Sequence, residues 1–490
     1  MNASKTIQIL FVLFLLLGIA AASPAPAQLA PTATPPKPLQ ALGPAGSQVE
    51  IGRWLTQAAA AYQQGEYTQW VRALEQLHAL RPYNADFMRQ LVEGYARIGD
   101  RSSAFNMMLR MQQQGLSVDW SEVEGLASIQ PYPLYGHLSQ LMTEAARPFG
   151  SAEVDVEIPG EIAMPEALAH DPNTDRLFVG TVRDGLIKVH GPDGETFETF
   201  ASPETVDGLM AVFDLVADPA RGHLWVATGS TSQFRGATST NFGRTSLIRL
   251  DLATGEKQAE FRVLPDGKPH LLGAMALAED GTIYAADNLT PYVYRLAPGA
   301  ERPEVILGNP VFTGLRGIAL SPDATKLYVA DYELGVFVFQ TEGERRGLPL
   351  PAPDTLNLGG IDGLYRWDNS LVAIQNGIAP QRVIRLDLDA SGTRVESVAP
   401  LVVADPRFDI PTFGTLVDDE LLFLASSHWD KVAADGRPAG GALPPVPVLR
   451  SPVDEAQNLV VGQEMLEQMK RQYEAQRARE GASPQGSDEG

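Results

Sequence analysis

Six times between Glu166 and Ala425 the chain repeats one phrase: a short apolar segment, a turn rich in Asp with Pro, Gly or Asn, and a second apolar segment. The copies read ALAHDPNTDRLFVGT (Ala167 to Thr181), DLVADPARGHLWVAT (Asp214 to Thr228), AMALAEDGTIYAAD (Ala274 to Asp287), GIALSPDATKLYVAD (Gly317 to Asp331), GLYRWDNSLVAIQ (Gly363 to Gln375) and FGTLVDDELLFLA (Phe413 to Ala425). The second segment of each copy is rich in Val, Leu, Tyr and Trp, as buried central strands are. One such unit buries little surface alone and must stack on its neighbours. A strand repeat of roughly 40–50 residues is the mark of a propeller blade. The fold class expected is therefore mainly β: a six-bladed β-propeller over 151–453, preceded by a small α-helical repeat region over 49–148. The early strand Ala152 to Ile158 is placed to pair with the last blade and close the ring.

The helical assignment rests on periodicity. Gly65 and Gly99 stand 34 positions apart, and Trp70 and Ala104 share that offset. Trp54 and Pro82 occupy positions that a tetratricopeptide repeat prefers, so two helix hairpins are expected, with a third helical stretch from Tyr135 to Ala146 capping them. Two functions suit this region: a groove for a protein partner, or a brace packed on the propeller.

The termini are read from composition. Lys5 followed by an apolar run from Ile7 to Ala22, with small-residue sites at Ala20–Ala22 and Ala25–Ala27, reads as a signal peptide over 1–27; an uncleaved anchor is the alternative. A Pro/Ala-rich linker follows over 28–48. A C-terminal helix and loose tail are expected over 454–490. The chain is thus read as secreted or periplasmic, yet it has no cysteine, so the fold must hold through its core alone. With 60 acidic against 38 basic residues and a net charge of -22, it would repel nucleic acid. No membrane association is expected after signal cleavage. Gly-rich phrases such as GLRGIAL lack the strand-to-helix setting of a phosphate loop.

Aligning the six units on their turns places Glu166, Phe213, Ala274, Arg316, Asp362 and Thr412 in one column facing the axis. A second column contains Val182, Gly229, Asn288, Tyr332, Asn376 and Ser426. Asp214 and His428 lie one or two positions away. A channel mouth lined by Arg316, Asp214, Asn288, Tyr332, Asn376 and His428 is a candidate ligand site. His428 beside Trp429 also reads as a packed residue.

The phrases MPEALAHDP, RGIALSPDATKLYVAD and GIDGLYRWDNSLVAIQNG resemble the family of senescence marker protein, gluconolactonase and luciferin-regenerating enzyme, over Met164 to Asp430. The resemblance implies a six-bladed propeller with one divalent cation, often calcium, on its axis. Glu166 falls on the family's first-blade Glu ligand. Asp362 falls on its fifth-blade Asp, which is both ligand and general base in lactone hydrolysis. The third-blade Asn falls near Ala274, and the fourth-blade Asn is replaced by Arg316. A guanidinium repels a cation, and calcium wants six to eight oxygens. Arg316 is therefore expected to stand in for the metal, its charge shared by Glu166 and Asp362 so that both stay ionised with lowered pKa. Three readings remain open: a structural plug, a ligand site, and calcium-dependent hydrolysis with further ligands such as Asp214 or Asn376.

Overall fold

The computed structural model describes residues 48–454 apart from 193, 195, 310 and 344–346. All lie in one compact unit. The expected signal peptide, linker and C-terminal segment fall outside the described residues, save one residue at either junction.

Six antiparallel sheets form the ring. Their first and second strands are Pro165–Asp171 with Arg176–Thr181, Ala211–Asp218 with His223–Gly229, Leu272–Leu277 with Ile283–Asp287, Leu315–Leu320 with Lys326–Asp331, Ile361–Trp367 with Ser370–Gln375, and Gly414–Val417 with Glu420–Leu424. The first strands of successive blades touch in order, and the sixth touches the first. Every one of these six hairpins turns through a left-handed residue: Asp175, Gly222, Gly281, Ala324, Asp368 and Asp418. Asp and Gly, which tolerate that region best, hold the position in five of the six, and Ala324 holds it in the fourth.

The core is distributed as six apolar layers, one between each pair of neighbouring blades. Such layers need strands buried on both faces, and this accounts for the near-continuous Val/Leu/Ile/Ala second strands. Closure comes from the N-terminal side: Glu153–Ile158 pairs with Val446–Pro452 as the outermost strand of the sixth blade. Just before it, Phe149 and Gly150 pair with Val403 and Val402 on the rim of the fifth blade.

The helical unit comprises α1 (Gln48–Gln63), α2 (Tyr67–Leu80), α3 (Ala85–Arg97), α4 (Arg101–Gln113) and α5 (Pro133–Glu144). The α1–α2 and α3–α4 hairpins turn at Gly65 and Gly99, both with positive φ. Asn84 and Asp100 cap α3 and α4 by accepting from Phe87 and Ser103 amides. Among the described residues no helix is long and apolar enough to cross a membrane.

This unit is docked on the fourth and fifth blades. Buried Arg382 donates to Gln375 Oε1 at 2.7 Å and to the Gln114 carbonyl at 3.1 Å. Asn357 donates to the Tyr83 carbonyl and to Gln114 Oε1, both at 3.1 Å. Arg81 reaches Glu333 at 2.8 Å, and the Ser117 amide donates to the Ala379 carbonyl at 2.7 Å. Ile378 of the propeller sits inside the helical unit's own apolar core. Of the two uses expected for the helices, bracing is present in the geometry.

Replacing Arg382 by Leu removes the donor from two buried acceptors. Urea unfolding should report a loss of about 3 kcal/mol, with the helical unit the first to become protease-sensitive.

Candidate ligand-binding site

The axial side chains owe their direction to one repeated irregularity. In five blades the pairing of first and second strands skips a residue: Pro165 and Ala167, Val212 and Asp214, Leu272 and Ala274, Leu315 and Gly317, and Ile361 and Gly363 flank the skip. The bulged residues are Glu166, Phe213, Gly273, Arg316 and Asp362. A bulge leaves one residue outside the ladder and re-aims its side chain. Four of the five are those expected from the alignment. In the third blade the position is Gly273, not Ala274, a slip of one residue.

The second column is equally regular. The amides of Val182, Asn288, Tyr332 and Asn376 donate to the carbonyls of Met164, Leu271, Gly314 and Gly360, each two residues before a bulge. The residues just before them are buried clamps for the connecting loops. Asp287 accepts from the Leu271, Leu289 and Thr290 amides. Asp331 accepts from those of Thr313, Glu333 and Leu334.

Gly273 has a consequence for Asn288. A Cβ at Gly273 would collide with the Asn288 carboxamide. The amide that the third blade lacks on its first strand is thus supplied from its second, through the space a side chain would fill. Asn288 Oδ1 is buried without a partner, as are Arg316 Nε, Asp362 Oδ1 and Thr412 Oγ1 among the described residues. These four unmet polar atoms belong to axial positions of the third to sixth blades, and two of them, Arg316 Nε and Asp362 Oδ1, face each other at 3.9 Å.

Arg316 Nε lies 3.9 Å from Asp362 Oδ1, too far for a hydrogen bond. Its guanidinium stands 5.7 Å over the Tyr332 ring, and its side chain is 40% exposed. Asp362 Oδ2 accepts from Asn376 Nδ2 at 2.7 Å, Asn376 Nδ2 also donates to the Pro411 carbonyl at 2.8 Å, and Tyr332 donates to Asn376 Oδ1 at 2.9 Å. Tyr332, Asn376, Asp362 and Arg316 therefore form one connected wall.

Glu166 departs from expectation. Its partner is Trp429, whose Nε1 donates to Oε2 at 2.8 Å. Burial, then the charge of Asp362, pushes the Glu166 carboxyl well above the usual range, and Trp429 and Arg316 only partly oppose this. The ion triad that would keep both carboxylates ionised is not formed: Arg316 leans on Asp362, and Glu166 tends to keep its proton. Trp429 was missed as a site residue; its only signal was its place in SSHWD.

Two further expected residues lie elsewhere. His428 is buried, with Nδ1 accepting from the Met164 amide at 3.1 Å and Nε2 facing the Pro444 carbonyl at 2.9 Å. Both ring nitrogens are spent on backbone, so neither serves a ligand at the mouth. Asp214, one residue past the bulge at Phe213, turns to the next blade and accepts from the Met275 amide at 2.6 Å and the Leu215 amide at 2.8 Å. Burial raises it to about 7, against the pull of these two donors.

The donor set fits a hard cation poorly. A guanidinium faces the seat, one oxygen of Asp362 and one of Glu166 are already taken by N–H donors, and calcium needs six to eight oxygens. Among the described residues no group of three or more His, Asp or Glu could hold a metal ion.

No family model and no curated protein matches the chain. Among solved structures it is similar to a PQQ-bound aldose sugar dehydrogenase from Streptomyces coelicolor (16% identity, 62% of this chain and 99% of that one, TM-score 0.43). It is also similar to a luciferin-regenerating enzyme (14% identity, 63% and 97%, TM-score 0.44) and to a gluconolactonase from Xanthomonas campestris (16% identity, 63% and 93%, TM-score 0.41). Likeness at these identities concerns the fold alone.

A carboxyl whose folded pKa is raised binds its proton more tightly when folded, so its stabilisation is complete below the unfolded value and is lost as pH rises. For Asp214 the window runs from about 4 to about 7. Across it the wild type should lose stability relative to Asp214→Asn, by up to roughly 4 kcal/mol, in urea titrations at stepped pH.

Proposed function

We propose that the chain is an exported, non-hydrolytic binding protein whose axial mouth receives a small hydroxylated organic acid. The observation that carries this reading is Arg316: a guanidinium on the axis, two-fifths exposed and without a close partner, beside an unmet oxygen of Asp362. A ligand carboxylate would pair with the guanidinium, and ligand hydroxyls would donate to Asp362 Oδ1 and Asn288 Oδ1. In this reading the arginine stands where related propellers place their cation. The apolar N-terminal run supports export. The helical unit braces the mouth from the Tyr332 and Asn376 side and leaves Ile98, Leu109, Tyr132 and Leu134 exposed for a protein partner.

A hydrolytic reading has one observation of its own. Burial and the charge of Asp362 push the Glu166 carboxyl well above its usual range, and a carboxyl raised in this way can serve as a general acid. Turnover of lactones and aryl esters, dependent on calcium and abolished by Asp362→Asn, would establish it in place of the binding reading.

With gluconate as probe, calorimetry should show binding that Arg316→Gln weakens at least about tenfold, the scale of one charge-assisted contact. Gly273→Ala should weaken it as well, by evicting the Asn288 carboxamide. Calcium or a chelator should leave the melting temperature unchanged; a calcium-dependent rise would overturn the assignment.

A further inference from the structure

Inside the ring lies a cavity of about 300 Å³ that touches the first strand of all six blades. It extends to the far ends of those strands, where Pro172, Pro219 and Leu416 stand, away from Arg316. Its walls mix apolar groups, Leu168, Ile318, Leu364 and Phe413 among them, with the polar side chains of His170 and Thr415. Tyr365 adds an aromatic surface, its hydroxyl oxygen accepting from the Gly414 amide at 2.6 Å.

One carboxyl group lines this space, Asp214, 8% exposed; the histidine on the wall, His170, is engaged with Asp175 at 2.8 Å. Its oxygens take one backbone N–H each, and no cationic side chain among the described residues pairs with it. A carboxyl so placed is electrically under-compensated; it must take up a proton or a cation. An inorganic ion would find only one carboxylate and no cage of oxygens. An organic ammonium suits the walls, because its hydrocarbon portion gains from apolar and aromatic contact while its charge faces the carboxylate. The chain's net charge of -22 draws cations toward it in general.

We infer that this cavity is a second binding site, distinct from the mouth, for a small protonated amine with an apolar body, its ammonium held by the Asp214 carboxylate. The volume sits at the lower end of known ligand pockets, roughly 300 to 1,000 Å³, so the occupant is small.

The test uses the full chain with benzylamine as probe and benzyl alcohol as its neutral match, by calorimetry above neutral pH. Benzylamine should bind at least about tenfold more tightly than the alcohol, the scale of one charge-assisted hydrogen bond. Asp214→Asn should abolish that preference. Thr415→Phe, which adds bulk at a lining position of the cavity and leaves Asp214 in place, should weaken both probes and keeps the test informative if the Asn variant fails to fold. Arg316→Gln should leave amine binding unchanged, so failure here and failure of the reading of the mouth are separable. Equal binding of amine and alcohol, or amine binding indifferent to both channel variants, would overturn the proposal.

Discussion

A single extra residue per blade organises the centre of this molecule. In a regular antiparallel pair, side chains alternate between the two faces of a blade, and both faces are already packed against neighbours. Nothing in such a ladder points down the axis. The bulges at Glu166, Phe213, Gly273, Arg316 and Asp362 break the alternation at the same height in five blades. The mouth is therefore a property of five coincident irregularities, and the polar wall from Tyr332 to Arg316 exists because they agree in register.

The surroundings decide what those residues do. Asp362 is tied to Asn376, and Asn376 to Tyr332, on loops whose next residues are gripped by the helices: Glu333 by Arg81, Ile378 and Ala379 by the α4–α5 region. The helical unit is thus part of the frame of the mouth. Glu166 stands on the first blade, where Trp429 packs against an apolar cap with Phe213, Phe234 and Leu271. The polar wall and the apolar cap flank different residues, so two carboxyls that look equivalent along the chain have different neighbours.

Much of this was legible in the letters. Six repeated phrases with Asp- and Gly-bearing turns give six hairpins, and in five of them an Asp or Gly takes the left-handed position that the fourth gives to Ala324. The axial column came out at Glu166, Phe213, Arg316 and Asp362, since aligning on the turns carries the bulge along unseen. It slipped at the third blade, where Gly273 has no side chain to betray its position and the amide arrives from Asn288 on the other strand. The charge state of Glu166 was misjudged because burial belongs to packing between blades and leaves no local mark. Trp429 reaches Glu166 across 263 positions of chain, and His428 is consumed by backbone groups; neither relation has a short-range signal.

The closing strand has a consequence for the order of assembly. Residues 153–158 leave the ribosome almost 300 positions before the segment they pair with, Val446–Pro452. Until that segment emerges, this early strand has no neighbour on its ladder, and the sixth blade cannot be completed. Nascent chains therefore carry an open β edge through nearly all of propeller synthesis, a feature that favours strand exchange between copies. The acidic residues Glu153, Asp155 and Glu157 on that waiting strand make like copies repel, a form of protection in force only before the ring shuts.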